Sequence, residues 1–387
     1  MTAKVMQVIT HLAVGGAENV AMAVMRGLRD AFEFSVFLPC GVEDSAVGTA
    51  MQAELTALGI PAHCGTRKPI KRGGLALAAA RMIAAVRRVE PDVLHIHTEI
   101  PEATYAAAAL VWPGLRRIPL AQTIHNSVYW TPRRRFGRWC ARALREASVV
   151  AVSNGARDAY QALQRDAGLA RPLPPLIANG ITPPRSRGDR NPGGVVRALF
   201  AGRFEPQKGA DLLAVAVRES RLPAGVLVEL DIIGSGALEP ELHVLAERPP
   251  PRWTIRVSPP VPGLADKLAD YDVVLMPSRF EGLSILAMEA AMAGVTVIAT
   301  DAPGLREGFP PGYPWLAPAG DGAAFGHMVA DVLARPGEWG RIAHGAQQFA
   351  IRHFSSETMC SAYGELYARL ADGRWNAEWT QQSPATK

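Results

Sequence analysis

The segment Thr182-Pro183-Pro184-Arg185-Ser186-Arg187-Gly188-Asp189-Arg190-Asn191-Pro192-Gly193-Gly194, followed by Val195-Val196-Arg197-Ala198-Leu199-Phe200-Ala201-Gly202-Arg203, decides how this chain is organised. Its first part has no hydrophobic periodicity and is dense in Pro, Gly and Arg, which reads as a linker. Behind it Val196–Ala201 is a buried strand that ends on a glycine turn and leads towards a helical pattern. The chain opens with the same succession: a strand at Val5–Thr10, a turn at Gly15-Gly16 and a helix over Ala17–Arg29. Further strands read at Phe34–Leu38, Val93–His97, Leu120–Ile124 and Val149–Val152 before the linker, and at Val226–Ile233, Trp253–Val257, Val273–Met276 and Val295–Thr300 after it. Strands apolar on both faces that alternate with helices predict parallel sheets covered on each side, so the fold class is α/β with two doubly wound domains. The expected boundaries are 1–182 and 195–360, joined by a linker at 183–194 and followed by a helix and tail at 361–387. That last segment is expected to pack back towards the N-terminal domain, with Trp375 and Trp379 as docking side chains. Two such domains facing a central cleft would bind ligands beyond the carboxyl ends of their strands.

The length of 387 residues fits two to three domains at roughly 150 residues each. With 48% apolar and 20% charged residues the composition is globular, which excludes a disordered chain. No run of about 18 apolar residues lacks a charge, so no membrane-spanning helix is expected. The N-terminal MTAKVMQVIT enters a strand without the apolar region and small-residue cleavage site of a secretory signal, which predicts a cytoplasmic protein. Charge is uneven: residues 1–182 hold 21 Lys+Arg against 13 Asp+Glu, and the remainder 20 against 23. The N-terminal half is therefore the one suited to an anionic partner or membrane surface. Cys40, Cys64, Cys140 and Cys360 form no C-x-x-C pair, and they read as reduced thiols.

Three motifs follow strands. Gly15-Gly16-Ala17-Glu18 opens a helix, where paired glycines and N-terminal amides suit either an anion or a plain strand-to-helix turn. Gly202-Arg203-Phe204-Glu205-Pro206-Gln207-Lys208-Gly209 sets a guanidinium fork and a point charge at a strand end, where both could reach a diphosphate. In Phe280-Glu281-Gly282-Leu283-Ser284-Ile285-Leu286-Ala287-Met288-Glu289-Ala290, two carboxylates stand eight residues apart, one in a loop and one about two turns into an apolar helix. A carboxylate on an apolar face needs a partner, either ribose hydroxyls or an Arg salt bridge.

Taken in order, these motifs resemble glycosyltransferase family 4, the retaining nucleotide-sugar transferases with the GT-B fold of two Rossmann-like domains. Gly234-Ser235-Gly236, Pro277-Ser278, Pro91-Asp92-Val93-Leu94-His95-Ile96-His97, Ser153 and Asn179-Gly180-Ile181 extend the resemblance along nearly the whole chain. It implies that Arg203 and Lys208 hold the donor diphosphate with Gly16 facing it, that Glu281 binds donor-sugar hydroxyls and that Glu289 binds the ribose. Gly234 and the loop amides of Gly282, Leu283 and Ser284 would also serve the donor, and His125, in Gln122-Thr123-Ile124-His125-Asn126, matches the active-site histidine near the transferred sugar. Retention is expected by front-face attack, in which the leaving phosphate oxygen takes the acceptor's proton. The donor is a GDP- or UDP-sugar, no cofactor is required and no metal is expected. Two metal-like patterns are set aside: Asp270-Tyr271-Asp272 lies before a strand rather than after one, and His95-x-His97 lacks a third ligand, leaving His97 nearer the acceptor. The prolines of Val257-Ser258-Pro259-Pro260-Val261-Pro262 depart from the usual glycine-containing loop near the base, and Ser284 replaces a commoner glycine.

Residues 133–145 pack Arg133, Arg134, Arg135, Arg138, Arg142 and Arg145 with Phe136, Trp139 and Leu144. Helical spacing makes this either an interfacial helix on anionic lipid or a surface helix with its apolar face in the core. A glycan or lipid-linked oligosaccharide acceptor in polysaccharide assembly, with the protein peripheral on the inner face of the plasma membrane, fits the charge asymmetry. Nucleic acid does not, because no recognisable module accompanies the arginines. The alternatives are a nucleotide-sugar epimerase of similar architecture and a non-catalytic nucleotide-sugar binder.

Overall fold

The computed structural model describes residues 2–13, 15–188 and 194–373. The chain forms two compact units, one taking the described residues up to Gly180 and again from Ser356, the other Ile181–Ser355. In the first unit β1 (Lys4–Val8), β2 (Glu33–Leu38), β3 (Ala62–Cys64), β4 (Val93–His97), β5 (Leu120–Ile124) and β6 (Ser148–Ala151) lie in the order β3-β2-β1-β4-β5-β6. In the second, β7 (Val195–Arg203), β8 (Leu227–Ser235), β9 (Trp253–Ser258), β10 (Val273–Met276), β11 (Thr296–Thr300) and β12 (Leu316–Ala317) lie in the order β12-β11-β10-β7-β8-β9. All pairings are parallel, and counted within its own unit each sheet has the doubly wound order 3-2-1-4-5-6. The direction of winding reverses between β1 and β4 in one sheet and between β7 and β10 in the other, which is where such sheets bind ligands. The central strands are buried on both faces: β10 is wholly apolar, and β4 carries His95 and His97 into the interior.

The ten strands read from the sequence are present, with ends shifted by two residues at most. The edge strands β3 and β12 were not foreseen, because three and two residues carry no period. The segment read as a linker is in part laid against the second unit. The Ile181 amide donates to the Phe354 carbonyl and the Arg187 amide to the Ala293 carbonyl, while the Arg185 and Arg187 side chains pair with Asp270 and Asp272.

The helix Ser356–Ala371 starts five residues before the expected 361 and belongs to the first unit. It buries Met359, Cys360, Tyr363, Leu366, Tyr367 and Leu370, an i, i+3, i+4 stripe, against the helix Gly16–Leu28 and strands β4 and β5. The approach to Gly16–Leu28 is close: a Cβ added at Gly27 would stand 2.5 Å from the Cys360 sulfur. Trp375 and Trp379 lie outside the described residues.

Candidate active site

In the second unit the loops after β7, β10 and β11 interlock. The loop after β7 passes through a short turn, Pro206–Lys208, to Gly209 at φ +70°, where an added Cβ would lie 1.9 Å from the Pro277 carbonyl oxygen. Only glycine lets this loop rest on the one after β10. The contact delivers Lys208 Nζ to 2.8 Å from both carboxylate oxygens of Glu281, and Ser278 Oγ donates to Glu281 Oε1 at 2.8 Å. The Ser278 carbonyl in turn accepts from Thr300 Oγ1, and the Glu281 amide donates to the Pro303 carbonyl at 2.9 Å. Gly304, at φ +76°, supports this loop from behind, since an added Cβ would stand 2.2 Å from the Glu281 carbonyl oxygen.

Lys208 and Glu281, given separate ligands in the sequence reading, are thus bonded to each other. The Arg salt bridge weighed for the carboxylate on the apolar face is not found at Glu289 among the described residues; the ion pair of this motif forms at Glu281, with a lysine. Arg203 is held at the strand end by Glu205 (3.0 Å) and Gln207 (2.8 Å), with its side chain about half exposed. Gly234 pairs with Gly202 across β7 and β8, and its added Cβ would lie 1.9 Å from the Gly202 carbonyl oxygen. This glycine is needed for strand contact whatever else it does.

Gly282, Leu283 and Ser284 are buried ahead of the helix Ile285–Met292. Glu289 is the fifth residue of that helix, so it lies a little over one turn in rather than two. It is half-buried and its carboxylate has no hydrogen-bond partner among the described residues; burial, with a smaller contribution from Asp266, raises its pKa to about 7.

In the first unit His125 follows β5 directly and is 9% exposed. Its Nε2 lies 2.8 Å from Nδ1 of His97, which is fully buried, and His97 Nε2 lies 2.8 Å from Gln7 Oε1. Gln7 Nε2 donates to the Tyr367 hydroxyl, which stands 2.7 Å from His95 Nδ1; His95 Nε2 meets Thr123 Oγ1 at 2.8 Å, and Thr123 meets the Tyr363 hydroxyl at 3.0 Å. His97 is therefore not an open acceptor-side group, as the sequence suggested, but the inner support of His125. Both nitrogens of His95 and of His97 are taken by hydrogen bonds, so the pair is not a bidentate metal site. Burial pulls the pKa of His95 and His97 well below the usual value and that of His125 to about 3, leaving all three rings neutral at pH 7.

The His95-x-His97 spacing was visible in the sequence. Gln7, Thr123, Tyr363 and Tyr367 were not, because nothing local marks partners so far apart in the chain. At the end of β4, Thr98 holds φ +63°, a strained conformation for a β-branched residue, and its hydroxyl meets that of Thr10 at 2.8 Å. Gly16, exposed, opens the helix Gly16–Leu28.

The arginine-rich helix spans Arg134–Ala143 and buries Gly137, Cys140 and Ala141. Phe136 stacks on Trp139 at 5.1 Å and meets Trp130 edge-on at 5.4 Å, so the aromatic side is half-buried in its own unit. Arg134 pairs with Asp166, Arg142 donates to the Ala167 carbonyl and Arg145 pairs with Glu146. The side chains of Arg133, Arg135 and Arg138 have no partner among the described residues.

The D-x-D pattern is explained by ion pairs: Asp270 with Arg185 and Asp272 with Arg187, while the Tyr271 hydroxyl donates to Asp231. Among the described residues no group of three or more His, Cys, Asp or Glu side chains is placed to hold a metal ion. No described helix is long and apolar enough to cross a membrane.

Comparison with known proteins agrees with this architecture. Residues 14–182 match the family described as Glycosyltransferase Family 4, and residues 196–335 that described as Glycosyl transferases group 1. A D-inositol 3-phosphate glycosyltransferase of Streptomyces bingchenggensis is 32% identical over 209 residues, 51% of this chain and 45% of that protein. The chain thus matches about half the length of this relative. A glycogen synthase of Mycobacterium tuberculosis is 26% identical over 323 residues, 78% of this chain and 74% of that protein. Among solved structures, Anabaena Alr3699/HepE in complex with UDP and glucose superposes with a TM-score of 0.74 at 21% identity, covering 95% of this chain and 99% of that one. With residues 14–182 and 196–335 matched, two doubly wound sheets and a likeness to that structure over 95% of its length, the chain belongs to glycosyltransferase family 4 and has the GT-B fold.

Proposed function

We propose that the protein moves a hexosyl group from a nucleoside diphosphate sugar to a glycan or lipid-linked oligosaccharide acceptor in bacterial polysaccharide or glycoconjugate assembly, with retention and without a metal ion. The observation that carries this reading is the Lys208–Glu281 pair, a cation and a carboxylate fastened 2.8 Å apart at the strand ends of the second unit. Such a pair can be shared by a donor: a diphosphate oxygen takes the Lys208 charge, while Glu281, steadied by Ser278, accepts from sugar hydroxyls. Arg203 reaches a second phosphate oxygen by leaving Glu205 and Gln207. Glu289, without a hydrogen-bond partner of its own, accepts from the ribose.

As the glycosidic bond breaks, the diphosphate gains charge and the sugar becomes oxocarbenium-like. Lys208, Arg203 and backbone amides at helix starts, including that of Gly16, stabilise the departing group. The acceptor hydroxyl attacks the same face, and its proton passes to the leaving phosphate oxygen. His125, neutral, stays a hydrogen-bonding group beside the transferred sugar. Arg133, Arg135 and Arg138 with Trp139 supply the basic and aromatic character that an anionic inner-leaflet surface would attract.

The test is a thermal-shift panel of UDP- and GDP-sugars with and without EDTA, followed by product analysis with and without acceptor. The expected result is one donor that stabilises the protein in the presence of EDTA and releases nucleoside diphosphate only with acceptor. Acceptor-free release of an epimerised sugar nucleotide would make the protein an epimerase, and binding without turnover would make it a binder. No shift with any donor would overturn the donor site.

A further inference from the structure

We infer that Gln7, His97 and Tyr367 are positioning residues that fix the tautomer of His125, so that His125 meets its ligand as a hydrogen-bond acceptor through Nδ1. The inference rests on the proposed sugar transfer for its functional meaning, but not for its geometry.

Gln7 sits in β1 with no exposed surface, and its amide gives the network a direction. Its Nε2 donates to the Tyr367 hydroxyl at 2.8 Å, which leaves Oε1 as the atom facing His97 Nε2, also at 2.8 Å. An amide oxygen only accepts, so His97 carries its proton on Nε2. The His97 ring is fully buried and neutral, hence its Nδ1 is a lone pair, and the 2.8 Å contact to His125 Nε2 is one in which His125 donates. His125 is neutral as well, which leaves its Nδ1 bare. That nitrogen has no protein partner among the described residues, and it is not among the buried side-chain atoms lacking one, so it reaches the surface of its unit.

On the other arm the Tyr367 hydroxyl, having accepted from Gln7, donates to His95 Nδ1 at 2.7 Å. His95 then donates from Nε2 to Thr123 Oγ1 at 2.8 Å, beside the Tyr363 hydroxyl. Each link assigns the next, so inverting one member means inverting all or leaving a buried polar atom unpaired. The two tyrosines come from the helix Ser356–Ala371, and the histidine they govern follows β5. A bare imidazole nitrogen accepts from a hydroxyl and repels a phosphate or carboxylate oxygen. The ligand class assigned to His125 is therefore a sugar hydroxyl and not the anionic part of a substrate.

The test is two-bond 1H–15N spectroscopy of the full chain with 15N-labelled histidine at pH 7–8, His125 being assigned by its loss in His125→Asn. Wild-type protein should show a protonated Nε2 and a bare Nδ1 at His125; the opposite pattern overturns the proposal without any variant. Tyr367→Phe frees the Gln7 amide to turn over and should give mixed tautomers at His125. It should also lower kcat/KM for the sugar nucleotide about tenfold, the effect of losing one such hydrogen bond, with UDP affinity held within about twofold. Thr123→Val removes the acceptor of His95 Nε2 and should tip the relay the other way, protonating His125 Nδ1. An unchanged His125 pattern in either folded variant refutes the relay. The spectra decide this even where no donor is turned over, so failure of the relay and failure of the transferase reading remain separate results.

Discussion

Replacing Lys208 by Met keeps the length of the side chain and removes the charge that Glu281 faces. Glu281 is 6% exposed at its side chain and Lys208 23%, so the carboxylate would be left buried without its cation. Removing one partner of a buried ion pair costs about 3–5 kcal/mol. The hydrogen bond from Ser278 survives and the Lys208 side of the pair opens to solvent, which places the cost near the lower limit, about 3 kcal/mol. For a unit of this size that is a fall in Tm of roughly 6–12 °C. Adding Glu281→Gln removes the stranded charge while keeping the shape and the Ser278 contact, so the double variant should recover to within about 1 kcal/mol of wild type. Nucleotide binding should not recover, because the diphosphate still lacks its cation. Calorimetric melts of the three proteins, paired with UDP titrations, separate the two quantities. A single variant that melts with wild type, or a double variant no more stable than the single, would refute the view that this pair organises the site.

Three further outcomes are expected. Glu289 has its pKa raised to about 7 by burial, so the folded protein holds a proton that the unfolded chain gives up near 4.5. Stability should therefore fall as pH rises from about 4.5 through 7, and UDP, whose ribose needs the ionised form, should bind more tightly at pH 8 than at pH 6; Glu289→Gln should abolish both slopes in melts and titrations. Gly304→Ala forces the Glu281 loop away from a 2.2 Å clash, and a displacement of about 1 Å at a positioning loop should cost about a hundredfold in kcat/KM, read in a transfer assay. Changing Arg133, Arg135 and Arg138 together to Ala should weaken sedimentation with phosphatidylserine vesicles by about a hundredfold, at about 1 kcal/mol per charge, while leaving UDP affinity unchanged.

The fold was legible because its signals are local. A buried run such as Val273–Met276, a glycine turn and a helix stripe each lie within one stretch of chain, and their alternation implies parallel sheets. The placement of Lys208 and Glu281 in loops was legible for the same reason, since each follows a strand. What each touches was not, because their meeting depends on Gly209 and Gly304 letting separate loops interlock, a property of three-dimensional approach. Asp270 and Asp272 show the reverse: a pattern that looks chemical is consumed by Arg185 and Arg187. His97 was misjudged because a histidine at a strand end looks available until its partners, Gln7 and His125, are known.

The return of Ser356–Ala371 to the first unit has a consequence for biosynthesis. A chain emerging from the ribosome completes all six strands of its first sheet by Ala151, yet the tyrosines that satisfy Gln7, His95 and Thr123 are made only after the whole second unit. Until then the nascent sheet carries polar side chains that must be met by water or left bare, and the groove that will receive the helix stays open. The half of the protein made first is thus the half finished last. Emergence of Ser356–Ala371, not of the six strands, is the moment at which that unit locks.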